Sequence, residues 1–467
     1  MQITLCLNGE KLKQECKSNE SLLCALRRAG VCFFAPCSGK GTCGKCKVKL
    51  NYFTEPTETE KKLLTEKEIS QNIRLACRTY PEGGMEVEPV SEFTPVATAQ
   101  VEEKTTESAS LRAIADIGTT TVTVGFTDEK GNIVNVKSEN NAQSAYGADV
   151  ISRIEGDIQM QHELIIKQLE KMINGKADIL YICGNTAMMH ILLNEDCSGL
   201  KHHPYKPVFL DSQQKKFEKF DIITLPCMSE FIGADITAGI IAAKPEKRYK
   251  LLIDLGTNAE IALFNEDKIF ASSAAAGPAF EGANISCGMA ATDGAICSFS
   301  FENNMKNIRT VNSAAPAGIC GSGLLDIVAA LRSKEIIAEN GRIDGGSYSI
   351  TGDIVITTHD VHEFMLAKAA VRTGTDMLLH KAGINAEEIK EVILSGGFGT
   401  YLNPESAAIT GLLDSALAAK ASFAGNTAFC GTAMWASGSR TLPQNVEILS
   451  LATDPEFSEN FIENISL

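Results

Sequence analysis

The 467-residue chain has no run of 18 uncharged apolar residues, so it offers no membrane-spanning helix. It has no positive excess either. Against 58 Asp+Glu stand 43 Lys+Arg, a net charge of -15, which removes the electrostatic basis for nucleic-acid binding. No G-x4-G-K-[ST] segment occurs, which disfavours the P-loop nucleotide-binding class. The first residues, Met1 to Leu5, reach polar sequence by Asn8 without a basic stretch before an apolar one. No secretory signal is expected, and the cytoplasm is the default location. Residues 1–88 lack aspartate entirely: 14 Lys+Arg face 11 Glu, a balance of +3 that leaves -18 on the remainder.

The composition is globular, 44% hydrophobic and 22% charged, and the length suits about three domains. Cysteine is plentiful. Eight of the 15 fall in the first 77 residues, and without an export signal this suggests metal ligation before disulfides.

Residues 1–88 read as one small domain. Ile3, Leu5 and Leu7 alternate with polar residues and meet an Asn8-Gly9 turn, which predicts a strand pair. A short helix over residues 21–30 stops at glycine, and a Gly/Lys/Cys loop leads to a strand at Lys47–Leu50. From 89 to 110 the apolar pattern is lost, as in a linker. Beyond it lies a duplication. Asp116-x-Gly118-Thr119 and Asp254-x-Gly256-Thr257 are 138 residues apart with similar strand flanks, which predicts two related α/β lobes, 111–248 and 249–467. Helices are expected over 147–155, 158–173, 233–243 and 324–331.

Cys37, Cys43 and Cys46 form C-x5-C-x2-C, and 30 residues separate Cys46 from Cys77. Three thiolates on a glycine-rich loop and one from elsewhere is how a [2Fe–2S] cluster is held, here with a loop one residue longer than the plant-type spacing. Gly39, Gly41 and Gly44 let backbone amides face the sulfurs, and Lys40, Lys45 and Lys47 supply positive charge. A four-cysteine zinc site is the alternative, although zinc sites usually pair two C-x2-C knuckles and only one is present. Cys6, Cys16, Cys24 and Cys32 lack ligand spacing and read as core or incidental thiols.

An Asp at a strand end followed by Gly-Thr suits magnesium phosphate: the carboxylate holds the cation directly or through water, and amides and hydroxyls donate to phosphate. Two such turns can clamp a polyphosphate. Val392 to Leu394 then runs into Ser395-Gly396-Gly397-Phe398-Gly399, a glycine turn against which a nucleoside can lie.

The first 88 residues resemble a [2Fe–2S] ferredoxin of the longer-loop, adrenodoxin-like kind. The ordered set of Asp116, Asp254 and Gly396-Gly397 turns resembles the acetate and sugar kinase, chaperone and actin superfamily of ATPases. The implied fold is an α+β β-grasp ferredoxin domain joined to a two-lobed α/β actin/sugar-kinase-like ATPase. The combination resembles the reductive activators of corrinoid proteins, a match strengthened by residues 146–153, 184–190, 276–282, 318–323 and 396–399. Membership implies ATP-dependent electron transfer from the [2Fe–2S] cluster to cob(II)alamin, giving cob(I)alamin for a methyltransferase system in anaerobic metabolism. Implied cofactors are the cluster, ATP and Mg²⁺. Implied partners are the corrinoid protein and a low-potential electron donor, with a homodimer left open.

The resemblance gives Asp116 and Asp254 to Mg²⁺ and water positioning. Gly118, Thr119, Thr120, Gly256, Thr257 and Asn258 would cradle phosphates, while Gly396, Gly397 and Phe398 border the nucleoside. Glu260 orients water or is a strand-face charge. Ser229 and Glu230 approach cobalt as weak axial donors, or Ser229 caps a helix. His190, Met188 and Met189 are expected in the core. Longer family members insert a middle domain between ferredoxin and ATPase, and only the linker is expected here. Two other functions fit the same motifs: a ferredoxin-tethered small-molecule kinase, and a redox-sensing nucleotide-binding module.

Overall fold

Ile3 and Leu5 turn one face of strand β1 (Gln2–Leu7) into the core of the N-terminal domain, and β1 pairs antiparallel with β2 (Glu10–Glu15), Leu7 opposite Glu10. The computed structural model describes residues 2–7, 10–16, 20–28, 41, 46–90, 111–128, 132–146, 150–256, 258–282, 284–289, 291–396, 402–438, 442–443 and 445–467. Helix α1 (Leu22–Arg28) buries Leu22, Leu23, Ala25 and Leu26 against that face. Next come β3 (Lys47–Leu50), α2 (Glu58–Leu63), α3 (Glu66–Ser70), β4 (Ile73–Leu75) and β5 (Glu86–Pro89). The five strands form one sheet in the order β2-β1-β5-β3-β4, with β1 and β5 parallel. A mixed sheet gripping a helix is the expected β-grasp. Thr57 and Thr65 close capping boxes with Glu60 and Glu68. Buried Glu60 also accepts the Leu75 amide at 2.8 Å, tying α2 to β4. From residue 91 onward the expected linker lies outside the described residues.

The first lobe contains β6 (Arg112–Ile117), β7 (Thr121–Thr127), β8 (Ile133–Asn140), α4 (Val150–Glu155), α5 (Ile158–Ile173), β9 (Ile179–Gly184), α6 (Thr186–Leu193), β10 (Gln214–Lys216), β11 (Asp221–Thr224) and α7 (Ala234–Ala243). The second lobe contains β12 (Lys250–Leu255), β13 (Ala259–Phe264) and β14 (Lys268–Ala274). The small strands β15 (Ala295–Glu302), β16 (Met305–Thr310) and β17 (Gly318–Ile319) follow, then α8 (Gly321–Ser333), β18 (Ser347–Thr351), β19 (Ile354–Thr357) and the long α9 (Thr358–Ala382). It ends with β20 (Glu391–Ser395), α10 (Pro404–Ile409), α11 (Ser415–Ala418), β21 (Ala421–Phe423), α12 (Thr427–Ala436), β22 (Asn445–Ile448) and α13 (Phe457–Glu463).

The duplication inferred from the two Asp-x-Gly turns is visible in topology. One sheet runs β11-β9-β6-β7-β8 with β10 at its edge, and the other runs β21-β20-β12-β13-β14 with β22 at its edge. In each five-strand set the first two pairings are parallel and the last two antiparallel. Each sheet has its own apolar core, joined in the second lobe by α8 and α9.

One helix departs from the expected division. Helix α12 lies in the 249–467 segment, yet Ala428, Phe429, Ala433, Trp435 and Ala436 pack into the core of the first lobe. Its neighbour α7 shares both sides: Ala234 and Ala238 face the first lobe's core, while Ile236 and Ile240 pack with Leu252 and Phe264 of the second. The two helices cross closely, since a Cβ on Gly431 would lie 1.7 Å from the Ala238 carbonyl oxygen. Backbone cannot yield as a side chain would. Gly431→Ala is therefore expected to destabilise the protein by about 3 kcal/mol, the upper end for overpacking, read as a lower urea midpoint at unchanged slope.

Candidate functional site

The duplicated hairpins place their acids in matching cross-strand rows. In the second lobe, pairing aligns Ser395, Asp254, Glu260 and Ser273 across β20, β12, β13 and β14. In the first, it aligns Cys183, Asp116, Thr123 and Ser138 across β9, β6, β7 and β8. Ser395 Oγ donates to Asp254 Oδ2 at 2.8 Å, and Cys183 Sγ occupies the matching place, donating to Asp116 Oδ1 at 3.7 Å. Burial keeps the Cys183 thiol protonated, as this donor role requires. Glycine follows both rows. A Cβ on Gly184 would meet the Ile117 carbonyl oxygen at 2.6 Å, and one on Gly396, at φ +92°, would meet that of Leu255 at 2.5 Å.

The first phosphate-type turn is held from behind. Gly118 N donates to Thr121 O at 2.9 Å, while Asn141 Nδ2 donates to Gly118 O and Asn141 N to Thr120 O, both at 2.8 Å. Buried Arg153 donates to Thr119 O. Every carbonyl from 118 to 120 is thus occupied. Among the described residues no protein acceptor takes the Thr119 or Thr120 amide. Such a turn presents donors to an anion. The second turn is one residue shorter, with Gly256 N donating to Asn258 O at 2.9 Å. Thr257, Gly397 and Phe398 lie outside the described residues.

Two residues without a sequence motif complete the cleft. Asn426, at the N-terminus of α12, accepts from Phe429 N at 2.8 Å and donates from Nδ2 to Asp116 Oδ2 at 2.6 Å, across 310 positions of sequence. Asp235 sits in the first turn of α7. Asp116, Asp235, Asp254 and Glu260 are each only half-buried by accessible area, although they lie deep inside the molecule. They therefore line a crevice. Desolvation pushes Asp116 up to about 6, opposed by the Asn426 hydrogen bond and reinforced by Asp254. Asp235 is pushed up to about 7 by desolvation and then by the charges of Asp254 and Asp116. Asp254 is raised by desolvation and partly restored by Ser395. Glu260 is raised well above the ordinary carboxylate value, through desolvation and then the charges of Asp235 and Asp254.

Among the described residues no three His, Cys, Asp or Glu side chains converge as a ready metal site. A divalent cation here would be held by one or two carboxylates, water and the phosphates of a nucleotide, which is how Mg²⁺ ordinarily binds.

In the N-terminal domain, pairing of β3 with β4 brings Cys46 and Cys77 together. Lys47 faces Leu75, and the Ala76 amide donates to Cys46 O at 2.8 Å. Cys46 is 0% and Cys77 7% exposed. Cys37 and Cys43 lie outside the described residues, as do Lys40 and Lys45. Gly41, between those two cysteines in sequence, packs against the side chain of Arg78, the residue after Cys77. Two buried cysteines on adjoining segments, with the remaining pair at ferredoxin spacing in the sequence, fit the donor set of a [2Fe–2S] cluster. Lys47, expected to offset the cluster's charge, instead pairs with Glu68 at 2.6 Å.

Ser229 and Glu230 do not join the carboxylates. Ser229 Oγ accepts from the Phe231 and Ile232 amides at 3.2 and 3.0 Å, and its carbonyl accepts from Thr186 Oγ1 at 2.6 Å. Gly233, not Ser229, is the N-cap of α7. Ser229 therefore closes the preceding turn, and its hydroxyl oxygen has both acceptor positions filled. Glu230 is half-buried beside it. His190 is a core residue as expected: it is 0% exposed, bonded through Nδ1 to Thr186 O at 2.7 Å, and accepts Val208 N at Nε2 at 3.0 Å. Met188 and Met189 are buried with it.

A ferredoxin cluster domain preceding a two-lobed fold of the actin and sugar-kinase type defines a class of redox protein with a nucleotide cleft. Comparison with known proteins narrows it. Residues 6–82 match the 2Fe-2S iron-sulfur cluster binding domain, 112–248 the RACo middle region, and 248–467 the C-terminal domain of RACo, the ASKHA domain. The corrinoid activation enzyme RamQ of Eubacterium limosum is 32% identical over 409 residues, 75% of this chain and 69% of that protein. The Co(II) methylated amine-specific corrinoid protein reductase of Methanosarcina barkeri is 28% identical over 295 residues, 53% of this chain and 54% of that one. A solved structure of a reductive activator for corrinoid, iron-sulfur protein aligns with a TM-score of 0.66 at 25% identity, covering 100% of this chain and 98% of that chain. The chain belongs to the family of reductive activators of corrinoid proteins. The middle-region match corrects one expectation: where only a linker was expected between the ferredoxin domain and the C-terminal domain, residues 112–248 match the RACo middle region. Among the described residues no helix is long and apolar enough to cross a membrane.

Proposed function

We propose that this protein uses ATP to drive the one-electron reduction of a corrinoid protein from cob(II)alamin to cob(I)alamin, with the electron drawn from its own [2Fe–2S] centre. The observation that carries this reading is the presence, in one chain of this family, of two buried cysteines on adjoining segments of the ferredoxin domain and a duplicated, acid-lined cleft. Cys37, Cys43, Cys46 and Cys77 would hold the cluster, which when bound supplies one electron per turnover. Reloading it needs a low-potential donor.

The cleft's part is to bind and hydrolyse Mg-ATP. The Gly118 to Thr120 and Gly256 to Asn258 turns hold phosphates, and Gly396, Gly397 and Phe398 border the nucleoside. Mg²⁺, held at Asp116 and Asp254 with water between, would offset phosphate charge. Asn426 fixes the Asp116 carboxylate. Asp235, pushed up to about 7, is matched to take a proton from the attacking water near neutral pH.

ATP carries no electron, so its energy acts through binding. Plant-type centres lie near ~-400 mV, and each ~59 mV uphill costs ~1.4 kcal/mol for one electron. A preference for the cob(II) form captures the client but opposes its reduction, so ATP assists the step only to the extent that it shifts the docked preference toward cob(I). Ser229 shapes the turn that presents Glu230, and the Glu230 carboxylate is the group available to approach cobalt as a weak axial donor.

The test is spectral. Anaerobic protein, a low-potential reductant, Mg-ATP and a cob(II) protein are mixed, and the cob(I) absorption is followed. Reduction that requires ATP is expected. A phosphorylated small molecule without cobalt reduction would contradict the proposal and favour a kinase.

A further inference from the structure

The nucleotide cleft and the turn that carries Glu230 are built against the same short segment. Gly184, Asn185 and Thr186 join the end of β9 to the start of α6. On one side they meet the first phosphate turn. Asn185 Nδ2 donates to Thr119 Oγ1 at 3.3 Å, and a Cβ on Gly184 would lie 2.6 Å from the Ile117 carbonyl oxygen. On the other side they meet residues 229–233. Thr186 Oγ1 donates to Ser229 O at 2.6 Å, and a Cβ on Gly233 would lie 2.4 Å from Asn185 Cα and 2.7 Å from Gly184 O. No side chain fits between these backbones, so a shift of the middle segment is felt on both sides. Thr186 is 1% exposed, so its bond to Ser229 is made away from water.

The far side of the turn reaches the surface. Phe231 is 44% exposed, and its ring lies edge-on to Tyr205 with centroids 4.7 Å apart. Inside, the turn is a small hydrogen-bonded unit. Ser229 Oγ takes the Phe231 and Ile232 amides, and Met228 N and Ser229 N both donate to Ile232 O, at 2.8 and 3.1 Å. Thr186 fastens this unit to the start of α6. Asn185 is held in two ways. Its Oδ1 caps α6 by accepting from Met188 N at 2.9 Å, while its Nδ2 reaches Thr119 by a longer and therefore weaker bond. Thr119 is one of the groups assigned to phosphate. A nucleotide that draws the Thr119 hydroxyl toward itself strains the weakest link in this chain of contacts.

We propose that Asn185 and Thr186 are positioning residues that couple the nucleotide cleft to the client-facing turn. Phosphate at Thr119 releases the Asn185 bond, the start of α6 moves, and the Thr186–Ser229 bond that fastens the Glu230 turn opens. This rests on the activation reading above, which places phosphate at Thr119 and the client at Glu230. The relay has two arrangements, fastened and released, and it transmits only the difference in what nucleotide and client prefer between them. Its sign agrees with loosening of the complex by Mg-ATP: the client favours the fastened turn and the nucleotide the released one. Such coupling is reciprocal, so a bound client weakens nucleotide binding by the same factor.

Two readouts on the full chain test it. The first needs no client: amide hydrogen exchange across residues 229–233, with and without Mg-ATP. In wild type Mg-ATP should speed exchange at Phe231 and Ile232. The second is the factor by which saturating Mg-ATP weakens binding of a corrinoid protein held in the cob(II) form, roughly 5- to 150-fold for coupling of this kind. Thr186→Val keeps the shape and removes the hydroxyl. Asn185→Ser keeps an oxygen to cap α6 but is too short to reach Thr119. Both variants should show fast exchange and weak client binding already without nucleotide, with little further change when it is added. Thr186→Ser should behave as wild type. Asn185→Ser is the discriminating variant, because its side-chain bonds go to Thr119 and Met188 and not to the turn; should Thr186→Val fail to fold, it decides alone. A wild-type response in Asn185→Ser overturns the relay, as does a Thr186→Ser protein that behaves like Thr186→Val. Exchange in wild type that ignores Mg-ATP overturns the relay and leaves the activation reading standing. An exchange response without any effect of Mg-ATP on client binding supports the relay and overturns the client-facing role of the turn.

Discussion

Replacing Asp235 with Asn is expected to cut ATP turnover at least a hundredfold, the range for removal of a general base, while raising the thermal stability of the nucleotide-free protein near pH 8. Both effects have one origin. Burial and the charges of Asp254 and Asp116 lift Asp235 to about 7 from an ordinary 3.8, so the folded protein binds this proton more tightly than the unfolded chain. The stability associated with that proton is complete below about pH 4 and is lost as pH rises through about 7. Asp116 adds a loss of the same sign, ending near pH 6. The amide introduced by Asp235→Asn carries no charge and removes the Asp235 share. His190 has the opposite sign: burial lowers its pKa, so its contribution fades as pH falls below its ordinary 6.5. Subtracting the melting profiles of wild type and Asp235→Asn between pH 4 and 8 cancels His190 and isolates the acid. A variant that is no more stable at pH 8 and hydrolyses ATP normally would remove Asp235 from the proposed chemistry.

Cys77→Ser is expected to abolish cobalt reduction and to reduce bound iron and labile sulfide to near zero, with nucleotide binding retained. The cysteine lies two residues beyond β4, against the segment that bears Cys46, and is no part of the acid-lined cleft. Loss of the distal thiolate leaves only the three on the loop, one short of the set of four that holds a [2Fe–2S] centre. Cys16→Ser is the control. Cys16 is buried in the same small core and lacks ligand spacing, so its variant should keep iron. Equal iron in Cys77→Ser and wild type would point to a different ligand set.

Much of this arrangement was legible in the sequence because it is encoded locally. A cysteine loop advertises itself by spacing. The two Asp-x-Gly turns advertise a duplication because a strand end, a glycine and a hydroxyl must be neighbours in the chain to act together. The structure extends that likeness to whole rows, Ser395–Asp254–Glu260 matching Cys183–Asp116–Thr123. The residues that sequence reasoning missed reach the cleft by tertiary packing. Asp235 and Asn426 begin helices whose apolar faces explain their sequence without reference to a site, and only the crossing of α7 and α12 brings both to the carboxylates. The return of α12 to the first lobe could not be read from chain order. Ser229 shows the converse: its position before a helix suggested a donor or a cap, and its two accepted amides make it a turn residue.

The central claim is that ATP drives reduction because the protein distinguishes the oxidation states of its client's cobalt. Equilibrium affinity for the corrinoid protein, measured anaerobically with cobalt held as Co(II) or Co(I), with and without Mg-ATP, tests it most directly. Without nucleotide, tighter binding of the Co(II) form is predicted; each tenfold of preference holds the docked cobalt oxidised by ~1.4 kcal/mol, and it is this preference that Mg-ATP should remove. Mg-ATP should loosen the complex, and Glu230→Ala should narrow the gap between the two forms. Equal affinities for Co(II) and Co(I), unchanged by Mg-ATP, would contradict the account.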